Sequence, residues 1–335
     1  MKIAIAGAGI IGCAVAEELS QRGFRVEVFD ARQSGSGATH ATAGVLAPFI
    51  EAPSPGPLQE LTLESFHLYP DFVARVSAAS GAAIEYRRCG TFEKATTTQD
   101  DERLRRVADA AHAAGLRTDW QKRPRGLLIQ EQGYVRVDQL MAGLRRAAER
   151  HETKVHEHEP IVRTELREEA VILHTPQRAL ACGALVVAAG SWSNAVGPES
   201  VGVRPVRGQL LRLGWEGTPL SHVMWTDDCY VVPWTDGTVL VGATVEDVGF
   251  DARVTAGGVG ALLEAVRRFI PAAADATFLE ARAGLRPATA DGLPVIRSSS
   301  QSSRVIYATG HYRNGILLAP LTARRVADLV EAAKR

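Results

Sequence analysis

The sequence has little cysteine and no excess of either charge, and each shortage argues against a class of protein. The four cysteines stand far apart and form no C-x-x-C pair: Cys13, Cys89, Cys182 and Cys229. This spacing argues against a zinc ribbon or a thioredoxin-type site and fits a reduced set of thiols, so we expect a cytoplasmic protein. Lys plus Arg and Asp plus Glu both number 38, a balance that argues against a dedicated nucleic-acid binder.

Three further shortages narrow the class. No apolar run approaches the roughly 20 residues that span a bilayer, so no transmembrane segment is predicted. No G-x-S-x-G motif occurs, which argues against a serine hydrolase. Only five of the 38 basic residues are lysine, which leaves 33 arginines. An arginine in this chain is therefore informative only through its sequence context.

What is present is typical of a globular enzyme. Hydrophobic residues make up 46% of the chain and charged residues 23%, which argues against disorder. A chain of 335 residues exceeds the size at which one core keeps growing, so we expect two domains.

The N-terminal forty residues admit two interpretations. Lys2 and the apolar run 3–16 are compatible with a short signal peptide. Alternatively, a buried strand (2–6) precedes a G-x-G-x-x-G motif (7–12), a helix and a second strand that ends before Asp30, 18 positions past the last glycine. That order is typical of dinucleotide binding, because glycines let the backbone approach a pyrophosphate at a helix start and the acid accepts from ribose hydroxyls. The first interpretation leaves Asp30 unexplained, so we favour the second.

The composition of the segment 34–44 indicates which dinucleotide is bound. An NAD enzyme would normally continue with regular alternation of strands and helices. Here a loop of small residues follows instead, which suits a backbone lying against a flat ligand, although a flexible linker would have the same composition.

The remaining pattern predicts helices over 58–77, 100–115, 137–150 and 255–269, strand pairs over 83–95 and a hairpin over 161–175. The apolar run 185–189 reads as a strand returning to a parallel sheet, and 203–245 as a mostly antiparallel second sheet. A last strand (304–310) leads through a glycine-containing loop into a helix over 316–334. The start of that helix would stabilise negative charge on a reduced flavin, unless it is an ordinary strand–helix turn.

Six motifs carry a family resemblance. In order along the chain they are GAGIIG at 7–12, ATAGVLAP at 41–48, CYVVP at 229–233, VGAT at 241–244, AGLRPATADG at 283–292 and GHYRNGILLAP at 310–320. Together they resemble the glycine oxidases of the ThiO type, within the D-amino acid oxidase family of FAD enzymes. The resemblance covers nearly the whole chain.

The resemblance implies an α/β fold, with a Rossmann-like FAD-binding domain (1–80, 137–200 and 287–335) and a mostly antiparallel substrate domain (81–136 and 201–286). It implies that FAD contacts Gly7, Gly9, Ile10, Ile11, Gly12, Asp30, Ala31, Ala38, Thr39, Ala43, Gly44, Val45, Val155, Gly190, His311, Tyr312, Arg313, Asn314, Gly315, Ile316 and Leu317. It assigns substrate roles to Tyr230, Arg286 and Arg313, and it implies a homotetramer.

The chemistry of two of these residues supports their substrate roles. A guanidinium matches a carboxylate with two parallel hydrogen bonds, and the glycine and proline flanking Arg286 would aim it in advance. Tyr230 could donate its hydroxyl to the same carboxylate. The alternatives are an ordinary surface arginine at 286, a core aromatic at 230, and a loop arginine at 313 that only pairs with a nearby carboxylate. The pair His156 and His158 could bind metal, but a solvated strand face is the favoured interpretation, and no metal is predicted.

The expected reaction is FAD-dependent oxidative deamination of glycine, small amines or D-amino acids. Hydride transfer to flavin N5 and reoxidation by oxygen would yield a 2-oxo acid, ammonia and hydrogen peroxide, in the thiazole branch of thiamine synthesis. The alternatives are a D-amino acid dehydrogenase or a sarcosine-oxidase-like enzyme using another acceptor, and a non-catalytic dinucleotide-binding regulator. The sequence departs from some relatives at Asp228 and Val245, both expected to border the substrate cavity.

Overall fold

The computed structural model describes residues 1–334. Across that range the strands are β1 Lys2–Ala6, β2 Arg25–Phe29, β3 Val45–Leu46, β4 Tyr86–Arg87, β5 Thr91–Lys94, β6 Thr118–Lys122, β7 Arg125–Ile129, β8 Gly133–Val135, β9 Lys154–His156, β10 Arg163–Leu166, β11 Val171–His174, β12 Ala179–Cys182, β13 Ala184–Val187, β14 Arg204–Gly214, β15 Val223–Trp225, β16 Tyr230–Pro233, β17 Thr238–Gly242, β18 Thr277–Ala288, β19 Val295–Ser298 and β20 Val305–Thr309.

The α-helices of the same range are α1 Ile10–Gln21, α2 Pro48–Glu51, α3 Pro57–Ser80, α4 Thr98–Ala113, α5 Val137–Glu149, α6 Ser193–Val196, α7 Ala256–Phe269 and α8 Gly315–Ala333. Short 3₁₀ turns lie at Ala38–Ala41, Gly190–Trp192 and Pro271–Asp275. The helices predicted from periodicity are all present, with ends shifted by a few residues.

A six-stranded sheet forms the first layer, in the order β19-β20-β13-β1-β2-β9. Five of its strands are parallel, and β19 adds an antiparallel edge. The central strands β1 and β13 are buried along almost their whole length, as expected for a parallel sheet covered on both faces. The predicted return of the chain at 185–189 to this sheet is confirmed, because Ile5 of β1 lies opposite Val186 of β13.

The second sheet has eight strands, in the order β18-β14-β17-β16-β15-β5-β7-β6. Its pairs are antiparallel except for β15 with β5. The predicted α/β class with a mostly antiparallel second sheet is therefore confirmed. The strand pair predicted within 83–95 is wrong: β4 pairs with β8, and β5 pairs with β7 and β15.

The strands of each sheet come from separate stretches of the chain, and the predicted domain bounds stay a prediction. Every strand of the six-stranded sheet lies within 1–80, 137–200 or 287–335, and the eight-stranded sheet lies within 81–136 and 201–286 except for the last two residues of β18. A small sheet, β3-β8-β4, joins the two sets of segments. The chain thus crosses between the two layers several times, and a cavity forms where they meet.

Helix α3 fixes the start of α8. Ser65 Oγ and Tyr69 Oη donate to the carbonyl oxygens of Leu317 and Ile316 at 2.6 and 2.8 Å. Both donors are buried, and buried hydrogen bonds are costly to leave unmade. The loop that precedes α8 is therefore held at a defined place beside the six-stranded sheet.

The described residues include no helix long and apolar enough to cross a membrane.

A buried carboxylate on α1 makes stability depend on pH. The Glu17 side chain is fully buried, with Oε2 3.0 Å from Arg75 Nη2. Burial raises the pKa of Glu17 to about 7, although Arg75 lowers it. Because the folded protein holds this proton more tightly than the unfolded chain, the contribution to stability is complete below about pH 4.5 and is lost as the pH rises through about 7. Between pH 5 and pH 8, we expect the melting temperature of Glu17→Gln to rise relative to that of the unsubstituted protein. The corresponding change in the free energy of unfolding is at most about 3 kcal/mol.

Thermal unfolding of both proteins across that pH range measures the difference. Glu18→Gln is the matched control, since Glu18 is the neighbouring carboxylate on α1 and also pairs with Arg75. A gap between the Glu17→Gln and unsubstituted melting temperatures that does not change with pH would contradict the prediction.

Candidate active site

One cavity of about 600 Å³ lies between the two sheets, which is within the range of small-molecule and cofactor sites. Its lining comes from β1, the start of α1, the end of β2, the loop 37–45, and the segments 188–196, 285–287 and 308–316. Trp225 and Tyr230 from the eight-stranded sheet also line it. The cavity thus has a glycine-rich end and an end walled by aromatic and cationic side chains.

At the glycine-rich end the backbone is packed too closely for a side chain. Gly7 has φ +107°, and a Cβ there would overlap the Ala188 carbonyl. A Cβ at Gly12 would overlap the carbonyl of Gly7. Gly12 therefore acts in packing and does not itself line the cavity, which agrees with the expected role of the third glycine in helix–strand contact.

Asp30 joins the glycine loop to the end of β2. Its carboxylate accepts from the backbone N–H of Ala8 at 2.7 Å and of Arg32 at 2.9 Å, and it borders the cavity. The N–H of Ile10 donates to Thr39 Oγ1 at 3.0 Å. The start of α1, an acid and a hydroxyl are thus gathered in the arrangement that dinucleotides require.

The aromatic end is organised by Arg286 on β18. Its Nη1 donates to the backbone oxygens of Thr244 and Arg207 at 3.0 and 3.3 Å. Its guanidinium lies over Gly208 of the adjacent strand β14, where any Cβ would overlap it. Burial lowers the pKa of Arg286, with Arg313 acting in the same direction. This guanidinium is held by carbonyls, and across residues 1–334 it forms no ion pair with a carboxylate.

Tyr230 on β16 faces the same end. Its ring stacks on Trp225 at a centroid distance of 4.9 Å. Its hydroxyl and ring lie over Gly242 of β17, where a Cβ would overlap them. Burial raises the pKa of the phenol, so Tyr230 is a neutral donor at physiological pH.

Arg313 pairs with a carboxylate that lies on α2. Its Nε is 3.3 Å from Glu51 Oε2, and the Glu51 side chain is 11% exposed. The guanidinium also lies over Trp225, 5.5 Å from the ring centroid. Burial raises the pKa of Glu51, while Arg313 and Arg286 lower it. Arg313 therefore lines the cavity and also has the nearby carboxylate that the alternative interpretation required.

The loop before α8 has strained backbone and a neutral histidine. Tyr312 adopts φ +47°, unusual for a non-glycine residue and common at functional sites. His311 is buried, with Nε2 2.9 Å from Thr322 Oγ1. Burial lowers the pKa of His311 to about 3, so this residue adds no charge to the cavity.

Most of the predicted site residues line this one cavity. They are Gly7, Gly9, Ile10, Ile11, Asp30, Ala31, Ala38, Thr39, Ala43, Val45, Gly190, Tyr230, Arg286, His311, Tyr312, Arg313, Gly315 and Ile316. Besides Gly12, the predicted residues outside the lining are Gly44, Val155, Asn314 and Leu317. Gly44 packs at φ +74° against the Val135 carbonyl. Asn314 precedes α8, and Leu317 lies in its first turn.

Val155 does not line the cavity, and its predicted backbone contact with FAD stays a prediction. It pairs with Val28 inside the parallel sheet, and its side chain packs against the main core. The chain turns after β9, where Glu159 N–H donates to the Asp30 carbonyl at 2.9 Å. Pro160, Ile161 and Val162 line the cavity in its place.

The expectation that the two departures from the family, Asp228 and Val245, border the cavity is wrong. Asp228 is exposed and pairs with Arg268 at 3.1 Å, and Val245 is 59% exposed. Neither lines the cavity. His156 of the H-x-H motif stacks on Phe29 and lies 3.1 Å from Glu27 Oε2, and residues 1–334 contain no cluster suited to a metal ion.

Several lining residues were missed from the sequence. Glu51 and Trp225 stand at the aromatic end, and Arg32 lies over Trp192, 4.4 Å from the ring centroid, in another part of the lining. Glu51 is the third residue after ATAGVLAP, a proximity that could have drawn attention to it. The two tryptophans carry no local signal.

The glycine-rich end fits the ADP half of FAD. Gly7 keeps the loop free of a side chain and close to the Ala188 carbonyl, the start of α1 offers backbone N–H groups, and Asp30 presents a carboxylate. The loop 311–316, which lies at the start of α8 and contains the neutral His311, fits the side of a flavin ring.

Comparison with known proteins also indicates an FAD-binding protein. The sequence model of the family described as FAD dependent oxidoreductase matches residues 2–329. The chain is 33% identical to glycine oxidase of Geobacillus kaustophilus, over 98% of this chain and 92% of that one. The crystal structure of glycine oxidase from that organism superposes with a TM-score of 0.93 at 32% identity, covering 98% of this chain and 94% of the other. The bifunctional protein ThiO/ThiG of a Nostoc species is 33% identical over 98% of this chain and 52% of its own length.

Proposed function

The chain belongs to the family of FAD-dependent oxidoreductases, and we propose that it oxidises glycine and other small amino acids or amines. The observation that carries the proposal is the Arg286 guanidinium, which is half-buried in the cavity and bonded to carbonyls alone. A desolvated cation of this kind calls for an anionic ligand. The carboxylate of an amino acid supplies one with matching bidentate geometry.

The protein's own side chains bind and orient the substrate. Arg286 binds the carboxylate, and the Tyr230 hydroxyl donates to the same group without adding charge. The ring of Trp225, stacked on Tyr230, forms an apolar wall that restricts the space beside the α-carbon. These contacts orient the α-carbon toward the loop 311–316, where the flavin ring is proposed to lie.

When FAD is bound, it supplies the two-electron acceptor for the hydride of the α-carbon. Oxidation of the C–N bond leaves an imine, which water hydrolyses to a 2-oxo acid and ammonia. The carboxylates of the cavity lining are Asp30, at the glycine-rich end, and Glu51, paired with Arg313. The reaction needs no protein base when the amine binds neutral, and the side chains then act by positioning and by excluding water.

The similarity to a ThiO/ThiG protein and to glycine oxidases supports glycine as a substrate and a role in the thiazole branch of thiamine synthesis. Oxygen is proposed as the electron acceptor.

The proposal is tested with purified, FAD-loaded protein. Under anaerobic conditions glycine is expected to bleach the flavin absorbance, and under air to release one hydrogen peroxide per glycine consumed. Bleaching without peroxide, with turnover restored by a quinone, would replace the oxidase with a dehydrogenase. A flavin that no small amino acid or amine bleaches would overturn the proposal.

A further inference from the structure

The aromatic end of the cavity holds two guanidinium groups and one carboxylate. Arg313 is paired with Glu51, with Nε and Oε2 3.3 Å apart. Arg286 donates to the carbonyls of Thr244 and Arg207. Among the described lining residues at this end, the charges therefore sum to one positive charge, which is carried by Arg286.

Burial strengthens the interactions among these charges. The side chain of Glu51 is 11% exposed and that of Arg313 is 33% exposed, so water screens their charges only in part. A ligand with one carboxylate neutralises Arg286 and completes the balance. A second carboxylate would be desolvated with no free cation to receive it, and it would face the negative charge of Glu51, an arrangement that costs several kcal/mol in buried sites.

We propose that Glu51 restricts the substrate to amino acids with a single carboxylate, because it neutralises Arg313 and leaves Arg286 alone to bind an anion. The proposal rests on the proposed function for its substrates and adds the residue that selects among them. A purely positioning role is the competing account, in which Glu51 holds Arg313 over Trp225 and its charge is immaterial.

The first test measures kcat/KM for three substrates with Glu51→Gln and with the unsubstituted protein. Glycine has one carboxylate, iminodiacetate has a second, and N-isobutylglycine has the bulk of iminodiacetate without the second charge. The ratio of kcat/KM for iminodiacetate to that for glycine is expected to rise about tenfold or more, since two guanidinium groups are then available. The ratio for N-isobutylglycine should stay unchanged. Equal rises for both bulky substrates would overturn the proposal, because space and not charge would then explain the effect.

Charge rescue separates the two accounts. Glu51→Asp keeps the charge and is expected to keep the discrimination against iminodiacetate. The double variant Glu51→Gln/Arg313→Gln returns the sum of charges to one, so it should discriminate as the unsubstituted protein does. A double variant that still accepts iminodiacetate as well as Glu51→Gln does would overturn the proposal.

A binding measurement makes the test independent of turnover. Acetate and malonate carry one and two carboxylates, and their dissociation constants can be read from the perturbation of flavin absorbance. The unsubstituted protein is expected to favour acetate, and Glu51→Gln to shift the ratio of constants toward malonate by about tenfold or more. If glycine is not oxidised at all, the proposed function fails while these constants still test Glu51. If glycine is oxidised and the ratio does not move, the role of Glu51 fails alone.

Discussion

Replacement of Arg286 by alanine is expected to raise the KM for glycine by about 10²- to 10³-fold while FAD stays bound. The guanidinium is half-buried, donates to two carbonyls and forms no ion pair with a carboxylate of residues 1–334. Truncating one partner of a buried, hydrogen-bonded charge pair costs about 2–5 kcal/mol, and each 1.4 kcal/mol is about a tenfold change in binding. Steady-state peroxide release with glycine measures KM and kcat, and flavin absorbance reports the cofactor.

Arg204→Ala is the matched control for this experiment. Arg204 lies on the neighbouring strand β14, opposite Ala288, and its exposed side chain pairs with Asp247. Exposed ion pairs contribute little to stability, so Arg204→Ala should fold normally. We expect its kinetic constants for glycine to stay within about twofold of those of the unsubstituted protein. An Arg286→Ala protein that retains FAD and the original KM would refute the binding role of Arg286.

Gly208→Ala is expected to weaken glycine binding by about 10- to 100-fold without replacing any side chain that contacts the substrate. A Cβ on Gly208 would overlap the guanidinium of Arg286, so the fork must move out of its aimed position. The Thr244 carbonyl that accepts from Nη1 at 3.0 Å would lose its partner. Misplacement of a positioned group by about 1 Å can cost about 10²-fold. The expected signature is a raised KM for glycine with a much smaller change in kcat.

Gly214→Ala on the same strand is the control for this substitution. Its Cβ would meet Thr277 Cβ at 3.4 Å, an ordinary contact. Both variants add one methyl group to β14, so equal effects on KM would contradict the assignment. A loss of flavin confined to Gly208→Ala would likewise show that position 208 acts on the whole fold and not through Arg286.

Local sequence determined the dinucleotide end of this protein. A short β-branched run, a G-x-G-x-x-G motif, a helix and Asp30 lie within thirty consecutive residues, and the structure folds them into β1, α1 and β2 in that order. The contacts among β1, α1 and β2 join residues that are close in sequence, because consecutive strand, turn and helix pack against one another. Tyr230 and Arg286 were identified in the same way, from motifs that surround each residue.

A residue that lies close in sequence to the cavity lining need not belong to that lining. Val155 lies close to the lining in sequence, but its pairing with Val28 directs it into the sheet, and the turn after β9 brings Ile161 to the cavity. Asp228 and Val245 are near Tyr230 and Thr244 along the chain, yet both side chains are exposed. Both lie outside the strands, since β16 begins at Tyr230 and β17 ends at Gly242, so proximity to a strand residue does not determine which way their side chains face.

Only the tertiary structure decided the electrostatics of the substrate end. Glu51, Arg286 and Arg313 come from α2, β18 and the loop before α8, and no local pattern relates them. The register of β14 with β18 places Arg286 over the bare backbone of Gly208. The sequence thus determined a dinucleotide-binding protein and predicted an arginine for a carboxylate. The fold determined that a second arginine is already neutralised, because charge balance in a buried site depends on which distant residues are brought into contact.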